Sequence, residues 1–265
     1  MNMNNNTLRQ INLPTRLPKV GTTIFTVMSA LANDYQAINL GQGFPDFSCD
    51  SRLLDAVNEA MRSNHNQYPP MAGIAVLREG ISKKIRALYN HTYDPLTEIT
   101  VTAGGTQGIF TAIACAVRPG DEVIVLEPVY DSYIPAIDTV GGTAIPVQLT
   151  LQRDSAGDIT GYAIPWDEIK QAISSRTRMI MINSPHNPTG MVWQANDLEK
   201  LADLIRGTDI LVCSDEVYEH MVYDGQQHQS IARHPELANR SFLISRDRKS
   251  TRLNSSHTDI SRMPS

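Results

Sequence analysis

The chain has 265 residues, of which 41% are hydrophobic and 19% charged, with a formal net charge of −5; this fits a globular protein of one large domain, or one domain with a smaller companion, and excludes disordered and collagen-like classes. The acidic balance argues against a nucleic-acid binder, because phosphate contacts need a basic surface excess. Three isolated cysteines, Cys49, Cys115 and Cys213, form neither a disulfide framework nor a CxxC metal or redox site and point to a reducing, cytoplasmic setting, while the polar N-terminus and the lack of a long apolar run give no membrane span or secretory signal.

In chain order, residues 1–20 are Asn-rich, broken by Pro14 and Pro18, and read as an arm. Asp50 is an acceptable N-cap for a helix carrying Leu53, Leu54, Val57 and Met61 on one face. Leu77, Ile81, Ile85 and Leu88 repeat at helical spacing between Gly73 and Asn90, leaving Arg78, Lys83, Lys84 and Arg86 for solvent. Short apolar runs then alternate with helical stretches. The runs are EITVT (98–102), EVIVLE (122–127), RMIMIN (178–183), DILVCS (209–214) and SFLIS (241–245). The helices are expected over 106–117, 130–140, 166–174 and 195–206. Strands without polar alternation are covered on both faces, so the expected fold class is α/β, a mostly parallel sheet flanked by helices. The last twenty residues, RDRKSTRLNSSHTDISRMPS, match neither period and cannot supply a core face. This segment is expected to be disordered and foreign to what precedes it, from a frameshift or scar near Arg246; a genuine polar tail is the alternative.

Four strand ends carry residues suited to chemistry. In VTAGGTQ (101–107), Gly104 and Gly105 permit a turn into a helix whose first N–H groups would suit a phosphate, although any strand-to-helix turn favours glycine. In EPVYDSY (127–133), Tyr130 could lie against a planar ligand or be ordinary core packing. In NSPHNPTG (183–190), Pro185 and Pro188 restrict the backbone around Asn187, a ligand-presenting loop or a plain Asn-Pro turn. In SDEVYEH (214–220), Asp215 lies where open α/β sheets bind ligands and suits a cationic ring nitrogen; helix capping by Asp215 or Glu216, and a half-buried Tyr218, are the structural alternatives.

These motifs, with INLGQGFPDF (38–47) and QYPPMAGIAVLRE (67–79), stand in the order used by fold-type I pyridoxal phosphate enzymes. From about residue 12 to 245 the sequence resembles the class I/II aminotransferases of the methionine, aromatic or kynurenine kind. The resemblance implies a pyridoxal phosphate cofactor, amino acid and 2-oxo acid substrates, and a homodimer. It implies that Gly105 and Thr106 cradle the phosphate, Tyr130 stacks on the ring, Asn187 and Tyr218 bond its phenolic oxygen, and Asp215 pairs with its protonated nitrogen. Tyr68 is similar to the tyrosine that reaches the neighbouring subunit's phosphate, and Gly43 to the backbone contact for the substrate carboxylate. By the same resemblance, residues 1–48 are an arm with a small-domain segment, 49–245 an incomplete cofactor-binding large domain, and 246–265 a tail outside both.

The family's lysine, which holds the cofactor covalently and moves a proton, normally sits in a Ser-Phe-Gly-Lys type sequence after one more strand. Here RDRKST follows SFLIS, so Lys249 is a catalytic candidate by register alone, and the downstream substrate-clamping arginine and C-terminal small domain are missing from the 265 residues. An inactive fragment is one consequence. A carbon–sulfur β-lyase on the same fold and a non-catalytic cofactor-binding or effector-sensing module are the other functional readings. A nicotinamide dehydrogenase ranks low because no G-x-G-x-x-G follows the first strand.

Overall fold

The computed structural model describes residues 15–18, 20–41, 47–246 and, as backbone, 258–261. The chain divides into two units, Met1–Gln42 and Gly43–Ser265. The first contains helix α1 (Ile24–Asp34), which the sequence reading did not anticipate. Thr23 caps it by accepting from the Thr26 N–H, and Ile24, Val27, Met28 and Leu31 form an exposed apolar stripe along it.

The second unit holds helices α2 (Ser51–Arg62) and α3 (Ala75–Tyr89), strand β1 (Thr100–Ala103), helix α4 (Gly105–Ala116), strand β2 (Glu122–Glu127), helix α5 (Tyr133–Thr139) and strand β3 (Thr143–Gln148). A hairpin follows, β4 (Thr150–Arg153) and β5 (Ile159–Ala163), then helix α6 (Trp166–Ala172), strand β6 (Thr177–Asn183), helix α7 (Ala195–Ile205) and strand β7 (Leu211–Asp215). A 3-10 turn at Ile231–Arg233, helix α8 (Pro235–Ala238), strand β8 (Ser241–Arg246) and strand β9 (Thr258–Ser261) complete it. Local chemistry sets several ends. Asp50 caps α2 as expected, Asn90 closes α3 in the left-handed region at φ 57°, and a reciprocal box between Gln194 and Asp197 starts α7.

Seven strands form one sheet in the order β1-β9-β8-β7-β6-β2-β3. Neighbours from β8 through β3 are parallel, and β9 runs antiparallel to both β1 and β8, so the carboxyl ends of the other six share one edge. The unalternating apolar runs are explained by cover on both faces. Ile124, Leu126, Ile180, Ile182, Val212 and Leu243 pack with α3, α6 and α7. The intervening Val123, Val125, Met179, Met181, Cys213, Phe242 and Ile244 pack with α4 and α5.

Three features depart from the sequence reading. Strands β3, β4 and β5 carry no strand pattern in the sequence; Pro146 interrupts β3, yet β3 is an edge strand, where proline is tolerated. The helix expected over 130–140 starts at Tyr133, after a loop opened by Pro128. Within the segment expected to be disordered, Thr258–Ser261 is paired as β9; β1 and β8 would otherwise each leave a row of main-chain groups unbonded, and backbone pairing asks only for an extended segment. The rest of that segment beyond Arg246 lies outside the described residues.

Candidate active site

After β2 the chain turns outward to β3, and β6 returns on the other flank of β2. Ligand crevices of open α/β sheets form beyond the carboxyl ends at such a reversal. The loops leaving β2, β6 and β7 at this edge hold Tyr130, Asn187 and Tyr218, and Asp215 ends β7 there.

Asp215 is the hub. It ends β7 in register with Asn183 of β6 and Ile244 of β8, and its side chain is buried. Tyr133 Oη donates to Asp215 Oδ2 at 2.5 Å, and the Val217 N–H donates to Oδ1 at 3.2 Å. Burial pushes the Asp215 carboxyl up to about 6, with nearby Glu216 adding to the rise, against the hydrogen bonds from Tyr133 and Val217. Among the described residues no cation pairs with it. A buried carboxylate so placed is suited to an incoming positive charge.

Two chains of contact lead from this hub to other candidates. Tyr130 meets Tyr133 edge to face, with ring centroids 5.7 Å apart. On the other side, Asn183 Nδ2 donates to the Asp215 carbonyl at 2.8 Å, while its Oδ1 accepts from the Asn187 N–H at 2.6 Å. The loop carrying Asn187 is fastened further by His186. Burial lowers its imidazole to about 4, so the ring is neutral near pH 7, and Nδ1 lies 2.8 Å from Thr189 Oγ1.

The glycine turn lies at the same edge. Gly104 takes φ 103°, open to glycine and strained for other residues, and Gln107 Oε1 accepts from the Ala103 N–H at 2.5 Å. The first turn of α4 therefore offers Gly105 and Thr106 N–H groups without intrahelical acceptors. Its second turn abuts β8: a Cβ added at Gly108 would lie 3.5 Å from Ile244 Cγ2, and Ile244 is the register partner of Asp215.

Of the expected site residues, Asp215, Tyr130 and Asn187 are thus joined, and Gly105, Thr106 and Tyr218 share their sheet edge. Tyr68 is fully exposed, in a loop docked on β1 by the Val101 N–H to Ala72 carbonyl bond, and enters none of these contacts. Gly43 and Lys249 lie outside the described residues. The helix-capping alternative for Asp215 and Glu216 does not hold, because β7 runs into a turn over 217–220. Tyr133 and Asn183 lie within EPVYDSY and NSPHNPTG, where no local signal marks them. Each stands three or four residues from a chosen one, and only the folded chain shows that it makes the contact with Asp215.

The fold is an open α/β sheet, mostly parallel, whose carboxyl edge carries both a buried acid and a glycine-rich helix start, the edge where sheets of this class place their ligand crevices. The family described as Aminotransferase class I and II matches residues 35–247, and this chain belongs to it. The methionine aminotransferase of Escherichia coli (strain K12) is 45% identical over 230 residues, covering 87% of this chain and 58% of that protein. Kynurenine–oxoglutarate transaminase 3 of Rattus norvegicus is 36% identical over 234 residues, covering 86% of this chain and 51% of that protein. The structure of N-succinyldiaminopimelate aminotransferase from Mycobacterium tuberculosis matches with a TM-score of 0.87 and 38% identity, covering 96% of this chain and 64% of that one. The chain spans between half and two thirds of the length of these relatives. No helix among the described residues is long and apolar enough to cross a membrane.

Proposed function

We propose that this chain carries the pyridoxal-phosphate-binding part of an aminotransferase that moves the amino group of methionine, or of an aromatic or kynurenine-like amino acid, to a 2-oxo acid. The observation that carries the reading is Asp215, a buried carboxylate raised to about 6 and without a cationic partner among the described residues. A protonated pyridine nitrogen supplies the missing charge, so the residues fit the cofactor. The names of the relatives, methionine aminotransferase and kynurenine–oxoglutarate transaminase, support the choice of substrates.

When bound, the cofactor acts as a sink for electrons leaving the substrate α-carbon. The protein's part is to hold and tune it. Asp215 would keep a proton on the ring nitrogen, and Tyr133 and the Val217 N–H fix the carboxylate that would do so. Asn187 and Tyr218 would donate to the phenolic oxygen, Asn187 being steadied through Asn183. Tyr130 would cover one ring face, and the Gly105 and Thr106 N–H groups would receive the phosphate. Lys249 would supply covalent attachment and proton transfer, Gly43 the substrate carboxylate contact, and Tyr68 a contact to the phosphate site of a second subunit.

The test is to give the purified chain pyridoxal phosphate, methionine and a 2-oxo acid, with free cofactor as the control because it transaminates slowly unaided. Keto acid formed faster than by free cofactor supports the reading, and its absence removes catalysis by this chain. Pyruvate and ammonia released from a cysteine-like substrate without an acceptor would instead support a carbon–sulfur lyase. Saturable cofactor binding without turnover would leave a binding module.

A further inference from the structure

The turn after β7 is anchored from below by two buried carboxylates that the proposed chemistry does not use. Glu216 Oε1 accepts from Ser214 Oγ and from the Ile231 N–H, each at 2.8 Å, and its Oε2 lies 2.8 Å from His228 Nε2. Glu219 gathers partners from two further elements. Lys84 Nζ of α3 donates to Oε1 at 2.5 Å, Ser245 Oγ at the end of β8 donates to the same oxygen, and Tyr89 Oη of α3 donates to Oε2. The two anchors touch through Tyr89, whose ring meets His228 edge to face at 5.9 Å.

Burying a carboxylate is costly, and apolar side chains could fill the same space. Three donors converging on one carboxylate add direction, which apolar packing does not. Burial alone would raise the Glu219 carboxyl, but Lys84, Ser245 and Tyr89 outweigh it and hold the group below its usual range, so it stays ionised. The neighbouring backbone is tied as well: the Glu219 N–H donates to the Glu216 carbonyl at 2.9 Å, the Met221 N–H to the Tyr218 carbonyl at 2.7 Å, and the Glu216 N–H to the Ile244 carbonyl at 2.8 Å. Tyr218 is therefore bracketed by two buried anchors within one turn.

We propose that Glu219, gripped by Lys84, Tyr89 and Ser245, is a positioning residue that sets Tyr218 relative to Asp215. The inference rests on the reading of Tyr218 and Asp215 as cofactor ligands. With its carboxylate oxygens taken by Lys84, Ser245 and Tyr89, Glu219 acts through the residue beside it, whose Cα is about 3.8 Å away.

The experiment titrates pyridoxal phosphate into the full chain, read by visible absorbance and induced circular dichroism, for wild type, Glu219→Gln, Tyr218→Phe, the double variant and Ser245→Ala. E219Q is expected to raise Kd about 10-fold, the scale of one charge-assisted hydrogen bond, and to weaken the induced dichroism. On the Y218F background the same change is expected to add nothing to Kd, a coupling that a general structural role does not produce. S245A, which removes one donor and keeps the ion pair, is expected to raise Kd about 3-fold and carries the test independently of how stable E219Q is. Wild-type Kd and dichroism in both E219Q and S245A, or an undiminished E219Q effect on the Y218F background, overturns the inference while leaving the functional reading intact. Failure of the wild type to bind overturns that reading, and this inference with it.

Discussion

Tyr133 Oη donates to Asp215 Oδ2 at 2.5 Å, joining the first turn of α5 to the end of β7 across the intervening strand β6. Burial raises the Tyr133 phenol well above its ordinary value, so it remains a donor throughout the range in which Asp215 titrates. The bond favours the ionised carboxylate and opposes the desolvation that raises it.

This has a pH signature. A carboxyl raised from 3.8 to about 6 stabilises the fold while protonated; that contribution is full below the unfolded value and is lost as pH rises through the folded one. Asp215→Asn, which cannot ionise, should therefore gain on the cofactor-free wild type by on the order of 3 kcal/mol between about pH 4 and pH 6.5. Urea unfolding of both proteins across that window measures the difference, and a constant gap between them would show that Asp215 is not raised. Tyr133→Phe removes the opposing bond and should move the window to higher pH.

Asn183 holds Asn187 as Tyr133 holds Asp215. Replacing it with alanine leaves the Asn187 N–H without its acceptor, whereas the Asp215 carbonyl keeps the Ser184 N–H at 3.0 Å. Asn183→Ala should cost about 1 kcal/mol, the net worth of one hydrogen bond at a part-buried amide. It should also weaken cofactor binding through the loosened Asn187. An unfolding midpoint and a cofactor titration give the two readings, and an unchanged affinity would separate Asn187 from the site.

Gly73 belongs to the QYPPMAG motif and is explained by packing. It takes φ 95°, and a Cβ there would stand 2.6 Å from Val101 Cγ2 and 2.7 Å from Val101 Cβ. Gly225 has φ 74° with open space around it, so Gly225→Ala isolates backbone strain, about 1 kcal/mol. Gly73→Ala adds overpacking against β1 and should cost about 2–4 kcal/mol in total. Equal losses in the two variants would mean that the 68–73 loop does not press on Val101.

How much of this was legible follows from where the information lies. Strands β2, β6, β7 and β8 announce themselves because cover on both faces makes them continuous apolar runs, and α3 and α7 because one face alone is buried, although the buried face of α3 is Arg78, Ile81, Ser82, Ile85 and Tyr89, leaving Leu77 and Leu88 exposed. The edge strand β3 and the exposed hairpin β4–β5 bury too little to leave a pattern. In the site, Asp215 and Asn187 were readable from strand-end motifs. Tyr133, Asn183 and Glu219 were not, since each earns its place through a partner 32 to 135 residues away in sequence or through a neighbour's orientation. Periodicity and local motifs do not encode such pairings.

Cys213 tests the centre of the sheet. It lies mid-strand in β7, in register with Met181 and Phe242, and is fully buried under α4 and α5. Burial, with the charge of Asp215 two residues on, pushes its thiol well above the ordinary value, so both access and thiolate formation are suppressed. Cys115 is exposed and Cys49 half-buried. A thiol reagent should therefore leave Cys213 unmodified in the native chain and modify it only as the sheet opens, in step with loss of circular dichroism in denaturant. Mass mapping of the modified cysteines decides the matter. Prompt native labelling of Cys213 would mean that β7 is not held between β6 and β8, and the Asp215 site at its end would fall with it.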